Sequence, residues 1–226
     1  MSRRLSYSQQ VFPVTTEFTA CLNGLQQDGV KVMLGRIWEG FDRFKAEILD
    51  NNPPPSRENA DLERDLTEMI YPHILQSLPA SLPYYLHHEK KEREQAVIGR
   101  QPPEPDISFV LFSNIRITFP FDSKVVEGDQ VHHMADYADT VQNRFLNCVY
   151  APFSKEGAMI AFLLAGSIRT VFTSIGTALG CVISSRGYIA SRNHRTSRHD
   201  RTNPTCSHRQ FRCHHLIMPM NDAVTR

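Results

Sequence analysis

The chain has 226 residues, of which 41% are hydrophobic, and its 25 Lys and Arg residues nearly balance its 24 Asp and Glu residues, giving a net charge of +1. That length suits one substantial hydrophobic core with an appended arm, and the balance of charge excludes a global electrostatic attraction to nucleic acids or membranes. The five cysteines are scattered, and the sequence starts MSRRLSYSQQ, without the apolar stretch of a secretory leader. We therefore expect a soluble protein of a reducing, cytoplasmic environment, with free thiols and no disulfide framework.

Residues 1–52 are predicted to form an N-terminal helical arm, ahead of a main domain at residues 53–226. The stretch VKVMLGRIWEGFDRFKAEIL is amphipathic and is followed by three consecutive prolines, Pro53–Pro55, which exclude a helix and indicate a linker. The large apolar residues of the arm are Ile37, Trp38, Phe41 and Phe44. We expect them to bury the arm against the body of the protein or against a second subunit.

The main domain is predicted to begin with a helix that Ser56 caps and Pro79 ends. Helical spacing gives this helix one buried face, made by Leu62, Leu66, Met69, Ile70 and His73. The segment PYYLHHE at residues 83–89 is then predicted to be a strand, because it is rich in aromatic residues and lies between a proline and a charged loop.

Two apolar strands are predicted in the stretch DISFVLFSNIRITFPFDSK at residues 106–124, with a turn at Ser113–Asn114. Alternate residues of an extended strand share a face, so Asp122 and Lys124 project together. Antiparallel pairing across the turn brings Asp106 to the same end of the hairpin as Asp122. Two carboxylates are therefore expected beside one ammonium group.

These three charged groups suggest a metal site. Carboxylates that lie close together repel each other unless a cation lies between them, and hard oxygen ligands on a rigid sheet suit Mg²⁺, with Mn²⁺ as a substitute. Lys124 would then position or deprotonate a water molecule, or stabilise negative charge on a phosphoryl group under attack. The alternative interpretation is a charged edge of the sheet without catalytic function.

A further helix is predicted at about residues 130–149. Its apolar stripe is made by Val131, Met134, Ala138, Val141, Phe145 and Cys148. The long apolar segment at 158–183 resembles a membrane span, but Arg169 near its middle would cost about 3 kcal/mol in a bilayer. We interpret the segment instead as a buried strand at 158–164 followed by a helix.

The segment from Arg186 to Arg212 is rich in Arg and His and contains one acidic residue. We predict a basic loop that contacts phosphate groups, ahead of a last strand at 211–220. The candidate phosphate contacts of this loop are Arg195, Arg198 and Arg201. Arg144, on the polar side of the preceding helix, is either a further phosphate contact or a solvated surface residue.

Cysteine and histidine residues near the C-terminus suggest a zinc site as an alternative role for this region. They are Cys206, His208, Cys213, His214 and His215, with His194 and His199 nearby. Their spacing matches no standard zinc knuckle. Alternation along the last strand would also send Cys213 and His214 to opposite faces, so we favour a strand and a basic loop here.

The pair Pro105–Asp106 followed by Asp122-Ser123-Lys124 resembles the signature of the PD-(D/E)xK, or restriction-endonuclease-like, nuclease superfamily. The predicted order of elements is similar to the core of that superfamily. The downstream stretch YADTVQNRFLNCVYAPFSKEGAMIAFLLAG resembles a pattern in bacterial nuclease-like proteins. The resemblance covers roughly residues 56–220 and leaves out the arm. It implies an α/β (α+β) fold, a restriction-endonuclease-like core in which helices flank a central mixed sheet.

By this resemblance, Asp106 and Asp122 would be metal ligands and the main-chain carbonyl of Ser123 another. Lys124 would act at the attacking water. Asp122 stands where the superfamily more often has Glu, a variation that its pattern tolerates.

The resemblance also implies an acidic residue on the first core helix that joins the metal site. Glu63 is our choice, because it lies at the margin of the apolar face of the helix, and Glu58 is the second.

The expected function is that of a metal-dependent nuclease, which cuts phosphodiester bonds, above all in DNA, by attack of a Mg²⁺-activated water. The resemblance further implies a role in defence against foreign DNA. Because one such site cuts one strand of a duplex, and because the apolar arm has no place in the minimal core, we also predict a homodimer or a complex with a partner protein. The alternative is a catalytically inactive nuclease-fold module that binds nucleic acid or assembles a complex.

Overall fold

The computed structural model describes residues 27–55, 61–96, 99, 101–128, 130–185, 187–221 and 224–225. Within these ranges four α-helices lie at Gln27–Phe44 (α1), Leu62–Gln76 (α2), Val131–Thr140 (α3) and Ile168–Leu179 (α4). Strands lie at Tyr84–His88 (β1), Ile107–Leu111 (β2), Asn114–Glu127 (β3), Glu156–Ser167 (β4), His194–Asp200 (β5), Gln210–Pro219 (β6) and Val224–Thr225 (β7). Short π-helical turns continue α1 through Lys45–Leu49 and α3 through Val141–Leu146, and a 3₁₀ turn lies at Arg93–Gln95.

Six of the strands form one mixed sheet in the order β1-β2-β3-β4-β6-β5, and β7 pairs with the end of β4. Strands β1, β2 and β3 are antiparallel neighbours, whereas β3, β4 and β6 run parallel and β5 returns antiparallel to β6. The four helices flank this sheet. The predicted α/β class with a central mixed sheet is thus confirmed.

Helix α1 belongs to the main hydrophobic core of the chain. Ile37, Trp38, Phe41 and Phe44 are at most 4% exposed, and with α2 they pack against one face of the sheet. The described part of the arm is therefore buried against the body of the same chain. These four residues offer no apolar surface to a second subunit, so they give no support to the expected homodimer.

Two local contacts hold α1 in place. A Cβ atom at Gly40 would lie 2.5 Å from Cγ1 of Ile74, so glycine is needed where α1 crosses α2. The Arg192 guanidinium forms a bidentate ion pair with Asp42, and its carbon atom lies 5.4 Å from the centre of the Trp38 ring. The helix is thereby tied to the segment that precedes β5.

The opposite face of the sheet is covered by α3 and α4. Strand β4 is buried almost throughout and passes directly into α4 at Ser167–Ile168. The interpretation of 158–183 as a buried strand followed by a helix is thus confirmed. In the part of the chain that the structure describes, no helix is both long and apolar enough to cross a membrane.

Several predictions about local structure were wrong in detail. The hairpin turns at Phe112–Ser113, since Leu111 pairs with Asn114, one residue earlier than predicted. Met69 and Val131 were placed on buried faces but are 43% and 83% exposed. The predicted helix cap, Ser56, lies outside the described residues.

The region predicted as one basic loop contains strand β5. Its sequence, HRTSRHD, has no apolar alternation, so nothing local indicated a strand. Pairing with β6 along its whole length determines its conformation.

Cys148 and Cys206 form a disulfide, although free thiols were expected; their Cα atoms are 5.6 Å apart and the residues are 58 positions apart in sequence. Among the described cysteines, Cys181 and Cys213 are free. Long-range pairing of this kind leaves no local pattern in the sequence.

Candidate functional site

Two carboxylates lie at the open edge of β3, where the hairpin ends. Strand β2 begins at Ile107 opposite Phe121, so the rest of β3 has no partner from β2. There the Asp106 carboxylate accepts the Ser123 amide N–H at 2.7 Å and also the Ser123 hydroxyl. The Glu63 carboxylate, from the first turn of α2, accepts the Val125 amide N–H at 3.3 Å. The two carboxylates thus occupy the place of a neighbouring strand.

The Lys124 ammonium connects these groups. It donates to Oε1 of Glu63 at 2.6 Å and to the main-chain oxygen of Ser123 at 2.9 Å. Its nitrogen also lies 3.5 Å from Oδ1 of Asp122. Burial by itself lowers the pKa of Lys124, but the negative charges of Asp122 and Glu63 outweigh it and raise the pKa. The side chain is therefore a cation throughout the neutral pH range.

Asp122 is the acid of the site whose pKa is shifted most. It is 6% exposed. Burial raises the pKa of its carboxyl to about 7, and the charge of Asp106 acts in the same direction, whereas Lys124 opposes the shift. Burial also raises the pKa of Glu63, again against the effect of Lys124. At both acids, burial thus outweighs the effect of the Lys124 ammonium.

The site contains more acidic groups than basic groups. Glu63, Asp106 and Asp122 influence one another electrostatically, and Lys124 is the cation that acts on Glu63 and Asp122. One ammonium thus serves three carboxylates. A divalent cation would balance the remaining charge, and Mg²⁺ is commonly held by one or two carboxylates together with water.

The sequence-predicted groups do not form a complete cage of metal ligands. Across the residues that the structure describes, no group of three or more His, Cys, Asp or Glu side chains could hold a metal ion as it stands. Asp106 and Asp122 are the two carboxylates of the predicted site, and the charge of Glu63 also acts on Asp122. Glu58, the second choice for the helix carboxylate, lies outside the described residues.

Ser123 contributes its amide and hydroxyl groups to the site, whereas sequence analysis named only its carbonyl group. Its side chain is buried, and its amide and hydroxyl groups both hold Asp106. The buried hydroxyl of Thr67 lies 2.7 Å from the Ser123 hydroxyl and 2.8 Å from the main-chain oxygen of Glu63. Thr67 therefore links α2 to β3, a contact that sequence analysis missed because the two residues are 56 positions apart.

Tyr150 is a further residue that sequence analysis missed. It is buried; its hydroxyl donates to the main-chain oxygen of Glu104 at 3.0 Å and lies within hydrogen-bonding reach of the Asp122 carboxyl. Burial, and then the charge of Asp122, raise the pKa of this phenol. Tyr150 lies in an irregular turn after α3, where no periodic pattern indicates which way a side chain points.

The four predicted phosphate-binding arginines do not lie on one surface. Arg144 is exposed, lies over the Tyr150 ring with 5.9 Å between its guanidinium carbon and the ring centre, and borders a cleft of about 520 Å³ beside Glu104. Arg195 pairs with His215 and lies 4.4 Å from the centre of the Phe172 ring, on the α4 side of the sheet.

The other two arginines are placed differently again. Arg198 pairs with Arg212, points to the opposite face from Arg195, and borders an open cavity of about 320 Å³ together with Lys155. Arg201 is 3% exposed, and its guanidinium donates to the main-chain oxygens of Ala151 and Ser154. Arg201 therefore supports the interior of the protein and is not available to a phosphate group.

The C-terminal histidines are bound to other side chains of the protein and do not surround a metal position. His194 lies 2.9 Å from His214, whose other ring nitrogen lies 2.7 Å from Oε2 of Glu156. On the other face of the sheet His215 lies between the hydroxyl groups of Tyr137 and Ser197. With Cys206 in a disulfide, the residues of the alternative zinc site are not brought together.

Comparison of the chain with family models, with curated proteins and with solved structures gives no match. The resemblance to the PD-(D/E)xK superfamily therefore depends on the motif residues themselves.

Proposed function

We propose that the chain is a metal-dependent nuclease with a restriction-endonuclease-like core, which hydrolyses phosphodiester bonds in DNA. One observation carries the proposal: Asp106, Asp122 and Glu63 lie at the free edge of β3, and among the described residues Lys124 is the cation that acts on Asp122 and Glu63. This is the kind of negatively charged oxygen site that takes Mg²⁺ or Mn²⁺.

In this proposal Asp106 and Asp122 hold the divalent ion, with the Ser123 carbonyl and Glu63 beside them. When bound, the ion lowers the pKa of a water molecule and polarises the scissile phosphate. Ser123 keeps Asp106 in position through its amide and hydroxyl groups. Lys124, a permanent cation at neutral pH, stabilises the negative charge that develops on the phosphoryl oxygens as the bond breaks.

A second candidate function is that of a non-catalytic module with the same fold. The Lys124 ammonium already contacts Glu63, Ser123 and Asp122, so the carboxylates have a partner without a metal. A module of this kind would bind nucleic acid or assemble a complex without turnover. Metal dependence distinguishes the two candidates.

The test is incubation of the purified protein with plasmid, linear duplex DNA, single-stranded DNA and RNA, each with Mg²⁺, Mn²⁺ or EDTA. We expect metal-dependent cleavage that is lost in the Asp122→Asn and Lys124→Ala proteins. Matched controls are Asp200→Asn and Lys155→Ala, since both residues are exposed and lie outside the site. Unchanged cleavage by Lys124→Ala would refute the assignment, and the absence of cleavage in every condition would favour the non-catalytic module.

A further inference from the structure

The Tyr150 hydroxyl contacts the segment that leads to Asp106 and lies near the Asp122 carboxyl. It donates to the main-chain oxygen of Glu104, two residues before Asp106, and interacts electrostatically with Asp122. One phenol thus joins the start of the Pro-Asp segment to the acid on β3. We propose that Tyr150 is a positioning residue of this site, which fixes Asp106 and Asp122 relative to each other; the proposal rests on the proposed function.

The turn that carries Tyr150 is held in an uncommon backbone conformation. Cys148 and Ala151, on either side of it, have positive φ angles of 57° and 49°. Residues other than glycine rarely adopt this conformation, and it persists only where the surroundings impose it. Such backbone strain is concentrated at functional sites.

Contacts from three parts of the chain impose the conformation of this turn. The Gln95 side chain donates to the main-chain oxygen of Cys148 at 2.8 Å, and Arg201 donates to that of Ala151 at 3.2 Å. The disulfide joins Cys148 to Cys206. Both ends of the turn are therefore anchored, which limits where the Tyr150 side chain can lie.

A purely structural role would place Tyr150 in the core through its ring alone. The ring does pack there, 5.5 Å from that of Phe145, centre to centre. The substitution Tyr150→Phe keeps this packing and removes only the hydroxyl. The matched control is Tyr188→Phe, because the Tyr188 hydroxyl donates to Glu156 at 3.0 Å, away from the site.

Two measurements test the proposal. The first is the hydrogen-exchange rate of the Ser123 amide by NMR, since this N–H donates to Asp106 and reports on its position. We expect several-fold faster exchange in Tyr150→Phe, about the effect of losing one hydrogen bond, and no change in Tyr188→Phe. The second is Mn²⁺ affinity by calorimetry, which we expect to fall about 10-fold or more, as for other residues that orient a ligand.

The two measurements separate this proposal from the proposed function. If the parent protein binds no divalent ion, the nuclease proposal fails, and the Ser123 exchange rate still decides the role of Tyr150. An unchanged exchange rate in Tyr150→Phe overturns the positioning role. In a parent that does bind Mn²⁺, unchanged affinity in Tyr150→Phe overturns it as well.

Discussion

The ammonium nitrogen of Lys124 lies 2.6 Å from Oε1 of Glu63, a residue 61 positions earlier in the chain. This contact joins the first turn of α2 to the open edge of β3. It brings the acid that sequence analysis chose on the first core helix into the same group of charges as the Asp-Ser-Lys motif. Substitutions in this group of charges should therefore have measurable effects.

Glu63→Gln should lower the pKa of the Lys124 ammonium. Glu63 raises that pKa both through its charge and through its hydrogen bond, and glutamine keeps the shape without the charge. The measurement is an NMR titration of the Lys124 side chain. Glu68→Gln, on the exposed side of α2, is the control and should leave the titration unchanged.

Asp122→Asn should stabilise the protein at neutral pH. The carboxyl has a pKa of about 7 in the folded protein and about 3.9 in an unfolded chain. Between these values the unfolded chain releases its proton and the folded protein keeps it, so Asp122 lowers stability progressively as pH rises from 4 to 7. The gain from Asn should therefore be absent below pH 4 and level off above pH 7, on the order of a few kcal/mol.

Urea unfolding of both proteins between pH 4 and 8 measures this difference. Asp200→Asn removes an exposed carboxylate and should give a difference that stays small across the range. If the difference in free energy of unfolding between the parent and the Asp122→Asn protein does not change with pH, the raised pKa of Asp122 is contradicted.

Arg144→Ala or Arg198→Ala should weaken DNA binding, according to which of these two exposed arginines contacts phosphate groups. Each lost contact lowers the slope of log K against log salt by about 0.9 on duplex DNA. Salt titrations of DNA affinity measure the slope. Arg195 and Arg198 point to opposite faces of the sheet. If the DNA lies on one face, at most one of these two arginines should change the slope when it is replaced by Ala.

Arg201→Ala should act on stability, in contrast to the exposed arginines. It removes the hydrogen bonds to Ala151 and Ser154 and leaves the main-chain oxygen of Ser154 without this donor, at a cost of about 1–3 kcal/mol. Thermal unfolding measures the loss. A stable variant with a shallower salt dependence would show that Arg201 binds phosphate after all.

Reduction of the Cys148–Cys206 disulfide should lower the free energy of unfolding by about 4 kcal/mol, because the bridge joins residues 58 positions apart. Cys206→Ser should lower it similarly and make the protein insensitive to reductant, whereas Cys181→Ser should remain sensitive. Mass spectrometry of protein digested without reductant should find the linked peptides. Free Cys148 and Cys206 in the folded protein would restore the sequence-based expectation.

The sequence by itself determined the elements that build the site. Alternating apolar residues and a turn predicted the hairpin, and its register alone placed Asp106 near Asp122, because Ile107 pairs with Phe121. Helical spacing placed Glu63 at the margin of the buried face of α2. Each of these inferences uses a period of two or 3.6 residues, which is local information.

Only the tertiary structure decided which groups surround those acids. Tyr150 reaches Asp122 from an irregular turn, Arg201 is buried under contacts from a distant loop, and the paired cysteines are far apart in sequence. None of these contacts follows from residue spacing, because each joins segments that are far apart in sequence. A polar strand such as β5 is fixed by its partner β6, so its conformation is a property of the assembled sheet and not of its own sequence.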